Sequence, residues 1–269
     1  MTEKGKAAIT SILGLYKRFS TEKFDSPESL YKIIFQELEN LVADDETTCN
    51  EVLSDERISK IRSQLRKAYL RCVYELEMQW TTKLLNSGIS DFDIEQYPKY
   101  EQYRIRAYFE HYLLPTIANF GTRKVLFVGC GSLPSTPIIM KKVFKLDVDY
   151  LDVSKEAIDL ASKLIDKLKL SNGSKFINRN IFEFSDFDSY DSVIVAGSVG
   201  LEEEDKSRLI LHFREHLKSG QFLILRPPYQ IEKLLVSNFN IKDFEGFKVT
   251  SAQIINDDDI ILRLVAQKI

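Results

Sequence analysis

Apolar residues recur at three- and four-residue spacing through the first 119 positions, then give way to short apolar runs separated by amphipathic stretches. In the first regime "SLYKIIFQELENLV" carries Leu30, Ile33, Ile34, Leu38, Leu41 and Val42 at helical spacing. A longer pattern runs through Ile58, Ile61, Leu65, Tyr69, Cys72, Val73, Leu76, Trp80 and Leu84. Asp55 can cap its start, and "NSG" at 86–88 ends it. The acidic stretch "ADDETTCNEVLSDE" between these patterns reads as a loop, and "YRIRAYFEHYLL" as a further helix closing at Pro115. The opening "MTEKGKAAITSILGLYKR" reads as an amphipathic helix: Thr10 and Ser11 interrupt its apolar stretch, and no small-x-small cleavage site follows.

From Lys124 the runs "KVLFVG", "LDVDYLDV", "KFINRNIF", "DSVIVAG" and "QFLILRP" read as strands. Helical stretches separate them, most clearly "SKEAIDLASKLIDKLKL" and "EEDKSRLILHFREHL". Strands alternating with helices predict a parallel sheet with right-handed crossovers. The ending differs, since "KVTSAQIIN" and "DIILRLVAQKI" are joined only by acidic residues and predict an antiparallel hairpin. The expected fold is α/β, a doubly wound sheet resembling class I methyltransferases, with a helical lid over 1–119 and a Rossmann-like domain over 120–269.

Composition narrows the partners. With 269 residues, 44% apolar and 29% charged, the chain can bury a full core. A net charge of −3 and the lack of a dense Lys/Arg block argue against nucleic acid or an anionic membrane as partner. No window approaches the roughly 18 apolar residues of a membrane span. Cys49, Cys72 and Cys130 are odd in number and widely spaced, which fits neither a disulfide framework nor a zinc pattern and suits the cytoplasm.

The candidate chemistry begins at "VLFVGCGSLPSTPIIM", residues 125–140. Gly129 and Gly131 fall at the carboxyl end of a strand, where open α/β sheets bind ligands. Glycines there let the backbone approach a ligand closely. A dinucleotide fold would want a third glycine near 134, where Pro134 stands. Asp152 ends the second run about 20 residues on and can accept ribose hydroxyls, with Val153 beside it. Asn180, followed by Ile181, ends the third and can meet an adenine amine; Gly197 and Ser198 end the fourth and leave room. Tight turns and helix caps explain each singly, but four at successive strand ends converge on a nucleoside cofactor. Pro134 and the hairpin favour S-adenosylmethionine (SAM) over NAD.

"FVGCGSLPSTPI", "DVSKEAIDLASKLI" and "VGLEEEDKSRLILHFREHLKSGQFLILR", with "YELEMQW" and "YPKY", resemble the nicotianamine synthase family from about residue 70 onward. The resemblance implies transfer of the 3-amino-3-carboxypropyl group of SAM to an amino acid or amine, with release of methylthioadenosine and no metal. Bacterial members make opine-type metallophores. It also implies Glu77 as the carboxylate that takes or holds the amine proton, Tyr100 as its hydrogen-bonding partner, and Tyr97 lining the cavity. Arg226 ends the fifth strand and can pair with a substrate carboxylate, or brace the helical half through a salt bridge. "RPPY" at 226–229 departs from plant members and leaves the acceptor open.

His212 and His216 fit a His-x-x-Glu-His zinc pattern, but they lie on a helix behind the ligand edge with no third ligand in view. Three alternatives stay open: cyclisation of SAM to azetidine-2-carboxylate, small-molecule methylation, and a SAM-binding regulatory module without turnover. A homodimer is compatible with the sequence.

Overall fold

The computed structural model describes residues 1–21, 46–87, 94–117, 124–255 and 260–269; the helix expected at 30–42 lies outside them, as does the expected boundary near 119. The first helix, α1 (Glu3–Thr21), buries Ala8, Ile9, Ile12 and Leu15. The stretch expected as a loop forms α2 (Glu46–Ser54) from residue 46. Its buried Thr48, Cys49 and Val52 make a stripe that covers α1, and this packing overrides weak local propensity. Next comes α3 (Glu56–Asn86), capped by Asp55, whose carboxylate accepts from the Arg57 amide at 2.9 Å. The fourth helix, α4 (Tyr100–Ile117), runs two residues past Pro115.

The strands β1 (Lys124–Val128), β2 (Asp147–Asp152), β3 (Phe176–Asn178), β4 (Ser192–Val195) and β5 (Phe222–Leu225) are parallel, in the order β3-β2-β1-β4-β5. The hairpin β6 (Phe247–Ile255) and β7 (Ile260–Lys268) extends the sheet, with β7 antiparallel to β5. Crossover helices α5 (Ser135–Phe144), α6 (Lys155–Lys167) and α7 (Glu203–His216) connect the parallel strands. The third strand is shorter than expected: after Asn178 the chain leaves the sheet and turns through Ile181–Glu183, capped by the Asn180 side chain.

Strand residues alternate between two cores, as period-2 geometry requires. Val125, Phe127, Val148, Tyr150, Ile194 and Ile224 pack with residues of α3 to α6 on one face. Leu126, Val128, Val193, Val195, Leu223 and Leu225 pack with α7 on the other. A third cluster joins α1, α2 and the first half of α3 to Leu234 and Leu235. Helix α3 has 31 residues and is therefore about 46 Å long. Ile58, Leu65 and Cys72 anchor its start in the third cluster, while Leu76 and Leu84 anchor its end against the sheet. The part between them crosses the strand tips.

Candidate active site

Where α3 crosses the carboxyl ends of β1, β2 and β4, the protein encloses a cavity of about 580 Å³. That size suits a small-molecule site. Both glycines of the turn after β1 have positive φ, +76° at Gly129 and +63° at Gly131. Side chains would also collide there, at Gly129 with Val199 and at Gly131 with the Glu77 carboxylate. The turn thus exists to let α3 and the loop after β4 close over it. The Gly131 amide donates to Asp152 Oδ2 at 2.9 Å and the Ser154 amide to Oδ1 at 2.9 Å, so Asp152 is fixed with lone pairs left for a ligand.

Glu77 reaches this turn from α3. It lines the cavity, and Tyr103 Oη donates to its Oε1 at 3.2 Å. Burial pushes its carboxyl up from 4.5 to about 7; Lys99 and the Tyr103 hydrogen bond oppose the rise, and Asp152 adds to it. Lys99 is 4% exposed and lines the same cavity. Burial and neighbouring Arg106 push its ammonium down from 10.5 to about 8, against the pull of Glu77 and Glu232. A carboxyl held near neutrality in a cleft is the kind of group proton-transfer chemistry uses. The Cys130 thiol is pushed upward by burial, with Asp152 and Glu77 adding to the effect, so it is no thiolate nucleophile.

The loop after β4 is shaped from behind. Lys206 is fully buried on α7 and donates to the Gly197 carbonyl at 2.8 Å and the Val199 carbonyl at 2.6 Å. Arg226 lines the far wall, but its Nε and Nη2 grip Glu110 of α4 at 2.7 and 2.8 Å, and Nη2 also donates to Thr136 Oγ1 at 3.1 Å. Arg263 of β7 shares Glu110 at 2.7 Å.

The profile described as nicotianamine synthase protein matches residues 1–269. The chain belongs to the nicotianamine synthase family. It is 25% identical to nicotianamine synthase 2 of Arabidopsis thaliana, covering 100% of this chain and 86% of that protein. Against the nicotianamine synthase of Solanum lycopersicum the identity is 23%, over 97% and 83%. Among solved structures, MtNAS in complex with MTA and tNA has a TM-score of 0.79 at 18% identity, covering 99% of this chain and 97% of that one. A glutamate-to-glutamine variant of MtNAS in complex with S-adenosylmethionine has a TM-score of 0.79 at 19% identity, over 97% and 98%. A Synechocystis magnesium protoporphyrin IX methyltransferase with bound SAH scores 0.52 at 14% identity, over 77% and 99%, which places the sheet among methyltransferase folds. Family membership reaches residue 1, well before the first quoted motif.

In this nicotianamine synthase family member one cavity is lined by Glu77, Gly129, Gly131, Pro134, Asp152, Val153, Asn180, Ile181, Gly197, Ser198 and Arg226 of the expected site residues. Tyr100 is not among them: it lines a separate pocket beside Ile94, Tyr108 and Ile138. Tyr97 is 2% exposed and packed between Trp80 and Tyr103, behind the cavity wall rather than on it. The phenol that meets Glu77 is Tyr103, one helical turn beyond Tyr100. Asn180 Oδ1 accepts from the Phe182 amide at 3.1 Å, so a cap role accompanies its place in the wall. Arg226 takes the brace role through Glu110. Both histidines of the zinc-like pattern bond backbone carbonyls, His212 Nε2 with Phe184 and His216 Nδ1 with His212, each at 2.8 Å. No metal-ligand cluster occurs among the described residues, and no described helix is long and apolar enough to cross a membrane.

Proposed function

We propose that the chain transfers the 3-amino-3-carboxypropyl group of SAM to the amine of an amino acid or related small molecule, releasing methylthioadenosine. The observation that carries this reading is the Glu77 carboxylate, seated against Gly131 and hydrogen-bonded by Tyr103 at the strand tips. SAM supplies a sulfonium with three electrophilic carbons, so the protein's task is alignment and proton removal. Asp152 holds the ribose hydroxyls, Val153, Asn180 and Ile181 flank the adenine, and Gly129, Gly131 and Pro134 leave room for the backbone of the methionyl end. Gly197 and Ser198 border the sulfonium, and Glu77 accepts the amine proton with Tyr103 orienting it.

An acceptor is favoured over cyclisation of SAM because the cavity that holds Glu77 is also lined by Lys99 and Arg106. The cations there suit an acceptor that carries a carboxylate. Incubation with SAM, with and without single amino acids, followed by mass analysis of the adenine products, tests the reading. Methylthioadenosine formed only with an acceptor supports it, and methylthioadenosine without one marks cyclisation. S-adenosylhomocysteine marks methylation, and no nucleoside product under any condition marks a binding module.

A further inference from the structure

Lys99 stands where a cation is least welcome. It is 4% exposed, and its carbonyl accepts the Tyr103 amide at 3.0 Å, which puts it at the N-terminal end of α4. Burial and the positive end of the helix dipole both oppose an ammonium there. The surroundings compensate. Its Nζ lies 5.3 Å from the Tyr103 ring centre and 5.9 Å from that of Tyr69, within reach of cation–π attraction. Tyr103 is the residue that hydrogen-bonds Glu77. Among the described residues, the groups that face the pair come from several elements. Asp152 lies at the tip of β2, Cys130 in the turn after β1, Cys72 on α3, Arg106 on α4 and Glu232 in the turn after β5. Two of these neighbours, Asp152 and Cys130, disfavour charge on Glu77 or are themselves disfavoured by it, and Lys99 is the leading influence in the other direction.

We propose that Lys99 is a positioning residue of the reaction: its buried ammonium, beside Tyr103 and facing the same cavity, keeps Glu77 an anion able to take the proton of the attacking amine. This rests on the reading of Glu77 as proton acceptor. In the step, a C–N bond forms between the acceptor amine and the γ-carbon while the C–S bond breaks. The electron pair goes to sulfur and leaves neutral methylthioadenosine, and the ammonium proton passes to Glu77. Lys99 exchanges no proton; its charge sets the state in which Glu77 waits. Tyr103 forms the mechanical link, because the same ring that carries the ammonium on its face directs its hydroxyl to the carboxylate.

The test is kcat/KM against pH for wild type, Lys99→Met and Lys99→Arg, read as methylthioadenosine formed. A nearby opposite charge moves a carboxyl by about one to three pH units. The acid limb should therefore move up by about that much in Lys99→Met, while Lys99→Arg, which keeps the charge, should retain the wild-type limb. An unmoved limb in Lys99→Met, or a limb that moves as far in Lys99→Arg, overturns the proposal. If Lys99→Met does not fold, infrared titration of the Glu77 carboxyl band in wild type and in Lys99→Gln decides, the band being assigned by its loss in Glu77→Gln. Loss of that band at higher pH in Lys99→Gln than in wild type supports the proposal; loss at the same pH in both overturns it. Absence of methylthioadenosine at any pH would instead defeat the reaction reading, and the titration would still judge Lys99.

Discussion

At the scale of single residues, Glu77 holds two properties in tension. Burial lifts its carboxyl from 4.5 to about 7, so the folded protein keeps a proton that the unfolded chain releases between those values. That contribution to stability is complete below pH 4.5 and is lost as pH rises through 7. Glu77→Gln keeps the shape and removes the charge. Its melting temperature should match wild type at pH 4 and exceed it by a few degrees at pH 8, as thermal unfolding at the two pH values would read. The sequence reached Glu77 only through family resemblance, because a glutamate near a helical stripe is ordinarily solvated. It missed Tyr103 and Lys99. Helical spacing could have signalled both: Tyr103 lies one turn after Tyr100, and Lys99 is the basic residue inside "YPKY". What spacing could not give was the rotation of α4, which turns Tyr100 toward a different pocket.

At the scale of elements, the alternation of strand and helix was legible because the central parallel strands β1, β4 and β5 are buried on both faces and read as nearly continuous apolar runs. Helix α2 was not, since its short stripe acquires meaning only against α1. The loop after β4 shows why composition alone misleads. "AGSVG" reads as room for a ligand, yet its shape depends on Lys206, buried behind it and bonded to two of its carbonyls. Burial, with Arg66 nearby, lowers that ammonium from 10.5 to about 7, and Asp205 opposes the shift. Lys206→Met should leave those carbonyls unbonded and loosen the turn. The expected result is a rise in KM for SAM of roughly tenfold, with kcat much less changed, measured by steady-state kinetics at pH 7.

At the scale of the whole molecule, one buried carboxylate ties the helical half to the sheet. Glu110 of α4 is fully buried and is gripped by Arg226 after β5 and Arg263 of β7. Burial alone would raise its carboxyl; the two guanidiniums outweigh burial and hold it below 4.5. Its stabilising effect is therefore present above that value and lost as pH falls through the depressed one. Glu110→Gln strands two buried cations and should lower stability by about 3–5 kcal/mol in denaturant unfolding at pH 7. These partners are separated by 116 and 153 positions, so no local reading of the chain pairs them. The core on one face of the sheet likewise mixes Leu76, Leu84 and Leu114 with strand residues, so the helices form a wall of the site as well as its cover. The account as a whole depends on a carboxylate from that wall removing a proton at the strand tips. Its most direct test is Glu77→Gln with SAM and the accepted amine, with SAM affinity and methylthioadenosine release measured in parallel. The account predicts near wild-type affinity with release slowed about 10²–10⁴-fold; release at the wild-type rate would contradict it.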